Sequence, residues 1–316
     1  MERMDWLKAR QKGIGGSDVA AILKIPGAYR TPFDVWLEKT SAVEDTKETP
    51  AQKRGRLLEA AVASWYAEET GAILAVGEAM VGPEPWMLGT PDRLVLSGVG
   101  GYPLHGLEIK TARHTDGWAE DGAEATGRNA GDIVPPVYAL QCLWYMAVSN
   151  LDRWDVAVLF MGTDEFRRYT IYRDAVYEQS ALIAPLRAWW HRHVVGGEEP
   201  AIDGSAGASS WLLGKYRSPG EDVIDPTADD LATFEKWVAA KAARDKAEAE
   251  ADALGNLLKA RIGSARGIRG LVNWIAVKGR ESLDTKRLRA EMPDVAARYT
   301  TIGEPTRSLR IAGGKK

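Results

Sequence analysis

Apolar positions divide the chain into helical, strand-like and linker stretches. Near the start, Ser17 and Asp18 precede the run Val19-Ala20-Ala21-Ile22-Leu23, which reads as a helix beginning. Thr31 followed by Pro32 predicts a second capped helix that turns Phe33, Trp36 and Leu37 inward. Residues 41–50 are polar and end in Pro50, which predicts a mobile loop. Over 51–70, Leu57, Leu58, Ala61, Val62, Trp65 and Tyr66 recur at helical spacing, with Gly71 as the stop. The first four of these mark the expected buried face, with Glu59 at its margin.

The period then shortens. Ile73–Ala79, Asp92–Leu96 and Leu104–Thr111 read as strands, the last two joined by the turn Gly98-Val99-Gly100-Gly101. Residues 114–135 lack an apolar period and are expected to form a long flexible loop. A helix from Pro135-Pro136 to about Val148, strands at Trp154–Phe160 and Phe166–Tyr172, and a helix from Asp174 to about His193 follow. Residues 195–225 are rich in Gly, Ser and Pro and mark a domain boundary. Residues 228–262 form one long helical pattern with a thin apolar stripe. The tail reads as a strand (Gly270–Lys278), a short helix (Asp284–Met292) and a last strand (Ser308–Ile311). The expected architecture is α/β (α+β), a central mixed sheet flanked by helices over 1–222. A helical arm with a small strand-and-helix appendage occupies 223–316.

Composition narrows the function. One cysteine, Cys142, among 316 residues excludes a disulfide framework, a cysteine zinc cluster and a four-cysteine iron–sulfur cluster. No apolar h-region opens the chain and no run reaches the ~18–20 residues of a membrane span, so a cytoplasmic protein without a membrane partner is expected. With 41 Lys and Arg against 44 Asp and Glu, the net charge is −3. The whole chain is thus no basic nucleic-acid binder; for such a role, local charge or a metal must supply the attraction.

The densest chemistry lies in 89–111, Gly-Thr90-Pro-Asp92 followed by Leu-Glu108-Ile109-Lys110-Thr. Residues two apart on a strand share a face, so Glu108 and Lys110 project together and Ile109 turns to the core. A hairpin brings Asp92 beside Glu108. Two adjacent carboxylates repel unless a cation joins them, and oxygen ligands select Mg²⁺ or Mn²⁺. A lysine beside such a cation can position or deprotonate a water for attack on phosphorus. An exposed hairpin with a surface Glu–Lys pair is the plain alternative. Three more segments add weight. Glu59 sits on the long helix, where a carboxylate near the core needs a partner. Gln141 and Tyr145 lie one helical turn apart, and a glutamine amide can donate to a scissile phosphate. Arg10 precedes Gly15-Gly16-Ser17-Asp18, where glycines at a helix start let backbone and hydroxyl donors reach an anion. His191 and His193 are expected at the surface, and His105 and His114 lack a metal-ligand spacing.

In this order the segments resemble the lambda-type phage exonucleases, the YqaJ-like viral recombinase family of the PD-(D/E)xK nuclease superfamily, over about residues 5–195. The resemblance implies a restriction-endonuclease-like core and a metal-dependent 5′→3′ exonuclease. Such an enzyme degrades one strand of duplex DNA from a 5′-phosphorylated end and leaves a 3′ overhang for a single-strand annealing partner. It implies Asp92, Glu108 and the Ile109 carbonyl as ligands of Mg²⁺ (or Mn²⁺), and Glu59 as support for a second ion. Lys110 would activate the water and Gln141 position it. Arg10, Ser17 and Thr90 would hold the terminal phosphate, Thr90 standing where the lambda enzyme has serine. Arg54, Arg113, Trp118 and Tyr145 are candidate DNA contacts. The setting implied is a bacterial or phage-infected cell, with a trimer as the expected homo-oligomer. A structure- or site-specific endonuclease of the superfamily, or a non-catalytic DNA-end-binding protein, stays open on motifs alone. The cysteine count excludes the superfamily's iron–sulfur members.

Overall fold

The computed structural model describes residues 3–43, 48–218, 220, 222–302 and 307–312. The chain divides into two compact units, Met1–Lys215 and Tyr216–Lys316. The first is built on a six-stranded mixed sheet. Its strands are β1 (Ile73–Val76), β4 (Arg93–Leu96), β5 (Pro103–Ala112), β7 (Arg153–Phe160), β8 (Glu165–Tyr172) and β6 (Glu124–Thr126), in that spatial order. Strands β2 (Met80–Val81) and β3 (Leu88–Gly89) form a separate short ribbon. The pairs β1–β4, β4–β5 and β7–β8 are antiparallel, whereas β5–β7 and β8–β6 are parallel.

A parallel pair needs a crossover, and α5 (Pro136–Ser149) supplies it between β5 and β7. Helix α5 is buried almost all round, as its apolar run Ala139–Val148 requires. It packs with α2 (Gly16–Ile22) on one sheet face, against Trp154, Val156, Val158 and Phe160. The opposite face of the sheet carries α4 (Pro50–Thr70), whose Val62, Ala63 and Tyr66 meet Val95, Leu107, Ile109 and Ala157. Before α2 comes α1 (Arg3–Gln11), and after it α3 (Pro32–Thr40), capped by Thr31 as its Thr-Pro start predicts.

The structure corrects several expectations. The α4 stripe is Val62, Ala63 and Tyr66, while Leu57 and Ala61 are exposed. Glu59 lies one turn before that stripe and on its face. The loop predicted over 41–50 falls partly outside the described residues, and its last residue already belongs to α4, capped by Thr49. The stretch 114–135 is not structureless: it holds β6 and a 3₁₀ turn at Gly127–Asp132, because Glu124–Thr126 finds a free edge on β8. The first predicted strand ends at Val76. A helical stretch from Ala175 to Val195 alternates α (α6, Ala175–Tyr177; α7, Ala184–Trp189) and π turns. Helix α8 (Ala206–Lys215) closes the unit against Phe33 and Trp36.

In the second unit α9 runs from Ala228 to Ile262, capped by Thr227. The strand predicted over 270–278 is instead a tight hairpin, β9 (Gly267–Ile268) with β10 (Val272–Asn273). Helices α10 (Thr285–Glu291) and α11 (Pro293–Arg298) follow, and Ser308–Ile311 forms no strand, having no partner to pair with among the described residues. Among the described residues no helix is long and apolar enough to cross a membrane.

Candidate active site

The register of β5 builds the site. Leu107 and Ile109 face α4, so Glu108 and Lys110 project to the other face, beneath α5. Asp92 immediately precedes β4, whose Arg93 pairs with Leu107. The Asp92 Oδ2 atom accepts the Ile109 N–H at 2.7 Å, which sets the two acidic residues at one level of the hairpin. Lys110 Nζ pairs with Glu108 Oε1 and donates to Gln141 Oε1 at 3.3 Å. Gln141 Nε2 in turn donates to the Tyr145 hydroxyl at 3.1 Å. Asp92, Glu108, Lys110 and Gln141 thus meet in one cluster between β5 and α5.

The electrostatics of the cluster are unusual. Glu108 is 1% exposed, and its Oε2 atom has no hydrogen-bond donor. Burial, reinforced by the Asp92 carboxylate, pushes Glu108 up to about 8. Burial also raises Asp92, against the pull of Lys110. Burial presses the Lys110 ammonium down, but Glu108 and Asp92 outweigh it and hold it raised. A buried carboxylate oxygen with no donor, beside a second carboxylate, is costly as it stands. It fits a divalent cation held by oxygen ligands, with Asp92 and Glu108 as the donors.

Glu59 faces this region from α4 but is ion-paired to Arg93 at 2.5 Å and one-third exposed. Among the described residues no three His, Cys, Asp or Glu side chains converge as a ready-made metal cage. Ile109 offers its N–H to Asp92 and its side chain to the α4 core.

The glycine-rich start of α2 reaches the same place. A Cβ on Gly16 would stand 2.8 Å from Tyr145 and 2.9 Å from Gln141, so only glycine lets α2 begin so close to α5. Arg10 donates to the neighbouring Ser17 hydroxyl at 3.3 Å and to Asp18 at 3.3 Å. Gly89 packs on the same Tyr145 ring, and Thr90 follows it at the exposed surface. Of the candidate DNA contacts, Arg54 and Arg113 are exposed. Tyr145 is 5% exposed, its hydroxyl accepting from Gln141 beneath the surface. Trp118 is half-buried against Tyr138, Phe160 and Tyr169. His105 points to the α4 face, where it and Tyr66 surround the buried Asp155. His191 and His114 are exposed.

Sequence reasoning missed two participants. Tyr138 is not among the residues the motifs single out, yet its ring lies 4.9 Å from Lys110 Nζ. Its position one turn before Gln141 carries that signal. Lys39 is the other: its fully buried ammonium bridges the Arg10 carbonyl at 2.9 Å and Asp18 at 2.8 Å.

Residues 5–152 match the family described as the YqaJ-like viral recombinase domain. The match lies within the first unit. The uncharacterized protein YqaJ of Bacillus subtilis (strain 168) is 28% identical over 98% of this chain and 94% of its own length. Among solved structures, the alkaline exonuclease of Laribacter hongkongensis is similar with a TM-score of 0.43 at 20% identity, over 61% of this chain and 99% of its own. A phage-related exonuclease from Haemophilus somnus 129PT gives a TM-score of 0.43 at 10% identity, over 59% and 96%.

Proposed function

We propose that the protein is a metal-dependent deoxyribonuclease that resects duplex DNA 5′→3′ from phosphorylated ends and leaves 3′ overhangs for phage-type recombination. The carrying observation is the convergence of Asp92, Glu108 and Lys110 around an unsatisfied Glu108 oxygen, inside a viral recombinase domain. Asp92 and Glu108 would hold Mg²⁺ or Mn²⁺, with the Ile109 carbonyl and Glu59 as candidates for further coordination and a second ion. When bound, the cation supplies charge stabilisation at the phosphate and acidifies water. Lys110, kept as an ammonium by Glu108 and Asp92, would donate to and orient the attacking water, whose proton leaves to solvent as its oxygen attacks phosphorus, and Gln141 fixes that ammonium. Arg10, Ser17 and Thr90 take the terminal phosphate, with Gly16 bringing the α2 start up to Gln141. A single-strand annealing protein is the proposed partner for the overhang, and a homo-oligomer the proposed assembly.

The experiment is digestion of linear duplex with Mg²⁺, using 5′-phosphate and 5′-hydroxyl ends in parallel. Mononucleotide release is expected, faster from phosphorylated ends, and Lys110→Ala should lower it by two orders of magnitude or more. Release indifferent to Lys110→Ala removes the mechanism. Nicking of closed circular DNA reassigns the protein to the endonucleases.

A further inference from the structure

A cavity of about 370 Å³ opens beside the cluster, lined by Tyr29, Trp118 and Tyr138 with Pro26, Pro135 and Arg113. That size lies at the small end of ligand pockets, about 300–1,000 Å³. Its floor is the end of β5, Thr111 and Ala112, directly after Lys110. The Tyr138 ring is a shared wall: Lys110 Nζ lies 4.9 Å from its centre, and the ring also lines the cavity. The pocket therefore begins one ring away from the ammonium.

Its three aromatic side chains are held in place. Trp118 is held by ring contacts at 5.6 Å to Tyr138, 5.7 Å to Phe160 and 5.6 Å to Tyr169. Tyr29 is 84% exposed, so it contributes almost nothing to the core, yet its hydroxyl is tied to that of Tyr138 at 2.8 Å. An exposed ring held in place at a pocket mouth is prepared to stack. Arg113 adds an exposed cation at the rim. Flat aromatic walls, a cation and a neighbouring phosphate-chemistry site together select one ligand class, a nucleobase joined to a phosphate.

We propose that this pocket receives the nucleobase of the nucleotide whose phosphate sits at Lys110, stacking it on Tyr29 and the Trp118–Tyr138 wall. The inference rests on the nuclease reading for the identity of that nucleotide. Stacking tolerates every base, so the pocket grips the strand end without reading sequence.

Equilibrium binding tests it without turnover. Calorimetry would compare 5′-dAMP with deoxyribose 5-phosphate, both with Mg²⁺, on the full chain. The base is expected to tighten binding about tenfold or more. Tyr29→Ala should erase most of that difference and leave deoxyribose 5-phosphate binding unchanged, while Tyr29→Phe, which keeps the ring but loses its tie to Tyr138, retains part of it. Because Tyr29 lies outside the core, loss of folding does not confound the result. In digestion, an abasic 5′-terminal residue should slow the wild type, and Tyr29→Ala should slow normal ends but not abasic ones. Equal binding of the two phosphates, or equal slowing of both ends by Tyr29→Ala, overturns the pocket. Absence of nucleotide release from every end by the wild type would instead remove the nuclease reading.

Discussion

Glu108 shows what a single residue reveals here. Its alternation with Ile109 on β5 could be read from Leu-Glu-Ile-Lys, because strand parity is a local rule. What the sequence could not give was the missing donor at Oε2, which depends on α5 closing over the sheet. Tyr138 escapes the motifs for the same reason: a tyrosine on an apolar helix looks like core until the lysine beside it is placed. The unsatisfied oxygen leads to a measurement. Mg²⁺ that binds the folded chain alone should raise its melting temperature, by about 2.7 kcal/mol of stabilisation at a hundredfold excess over Kd. For a chain of this size that is a rise of several degrees. Glu108→Gln should lose the rise, as seen by calorimetric melting with Mg²⁺ and with chelator. A variant that still gains the full rise would place the cation elsewhere.

At the scale of elements, long and strongly patterned segments were legible and edges were not. Helices α3, α4, α5 and α9 follow from caps and periodicity, whereas β6 exists only because β8 offers an edge. The α4 face was read one turn early, since Leu57 and Ala61 continue the helical spacing without a sheet beneath them. The joint between α1, α2 and α3 was invisible because its centre is polar. Asp18 is fully buried there, against Lys39 at 2.8 Å and the guanidinium groups of Arg30 and Arg10. Burial presses its carboxyl upward, and the three cations outweigh it and hold it well below the carboxylate range. The unfolded chain titrates near the ordinary value of about 3.9, so the folded state binds fewer protons than the unfolded one below that value. The stability from this joint is therefore fully present above about pH 4 and is lost as pH falls toward the depressed native value. Asp18→Asn should flatten this acid limb. At pH 7 it should cost about 3–5 kcal/mol, because the buried Lys39 ammonium loses its buried counter-charge. Urea unfolding between pH 3 and 7 checks both; an unchanged acid limb would show that Asp18 is not its source.

For the molecule as a whole, the net charge of −3 is a sum of unlike parts. Residues 256–316 hold 14 Lys and Arg against five Asp and Glu, so the rest of the chain is distinctly acidic. The basic stretch lies in the second unit, where Arg266, Arg269, Lys278 and Arg280 are all exposed. The Asp92–Glu108–Lys110 cluster has the opposite character, with two acidic side chains set about one ammonium. On the proposed nuclease reading, the second unit is the candidate source of long-range attraction for a duplex and the first unit the source of the chemistry. Electrostatic attraction of this kind releases counterions, and affinity falls with salt by about 0.9 log units per decade for each neutralised phosphate. Replacing Arg266, Arg269, Lys278 and Arg280 with Gln should then flatten the salt dependence of duplex binding by up to about 3–4 log units per decade. It should leave binding of 5′-dAMP untouched. Fluorescence anisotropy on a blunt duplex between 50 and 200 mM salt gives the slope, the range over which such contacts are most visible. A slope equal to that of the wild type would mean that these four cations take no part in holding the duplex.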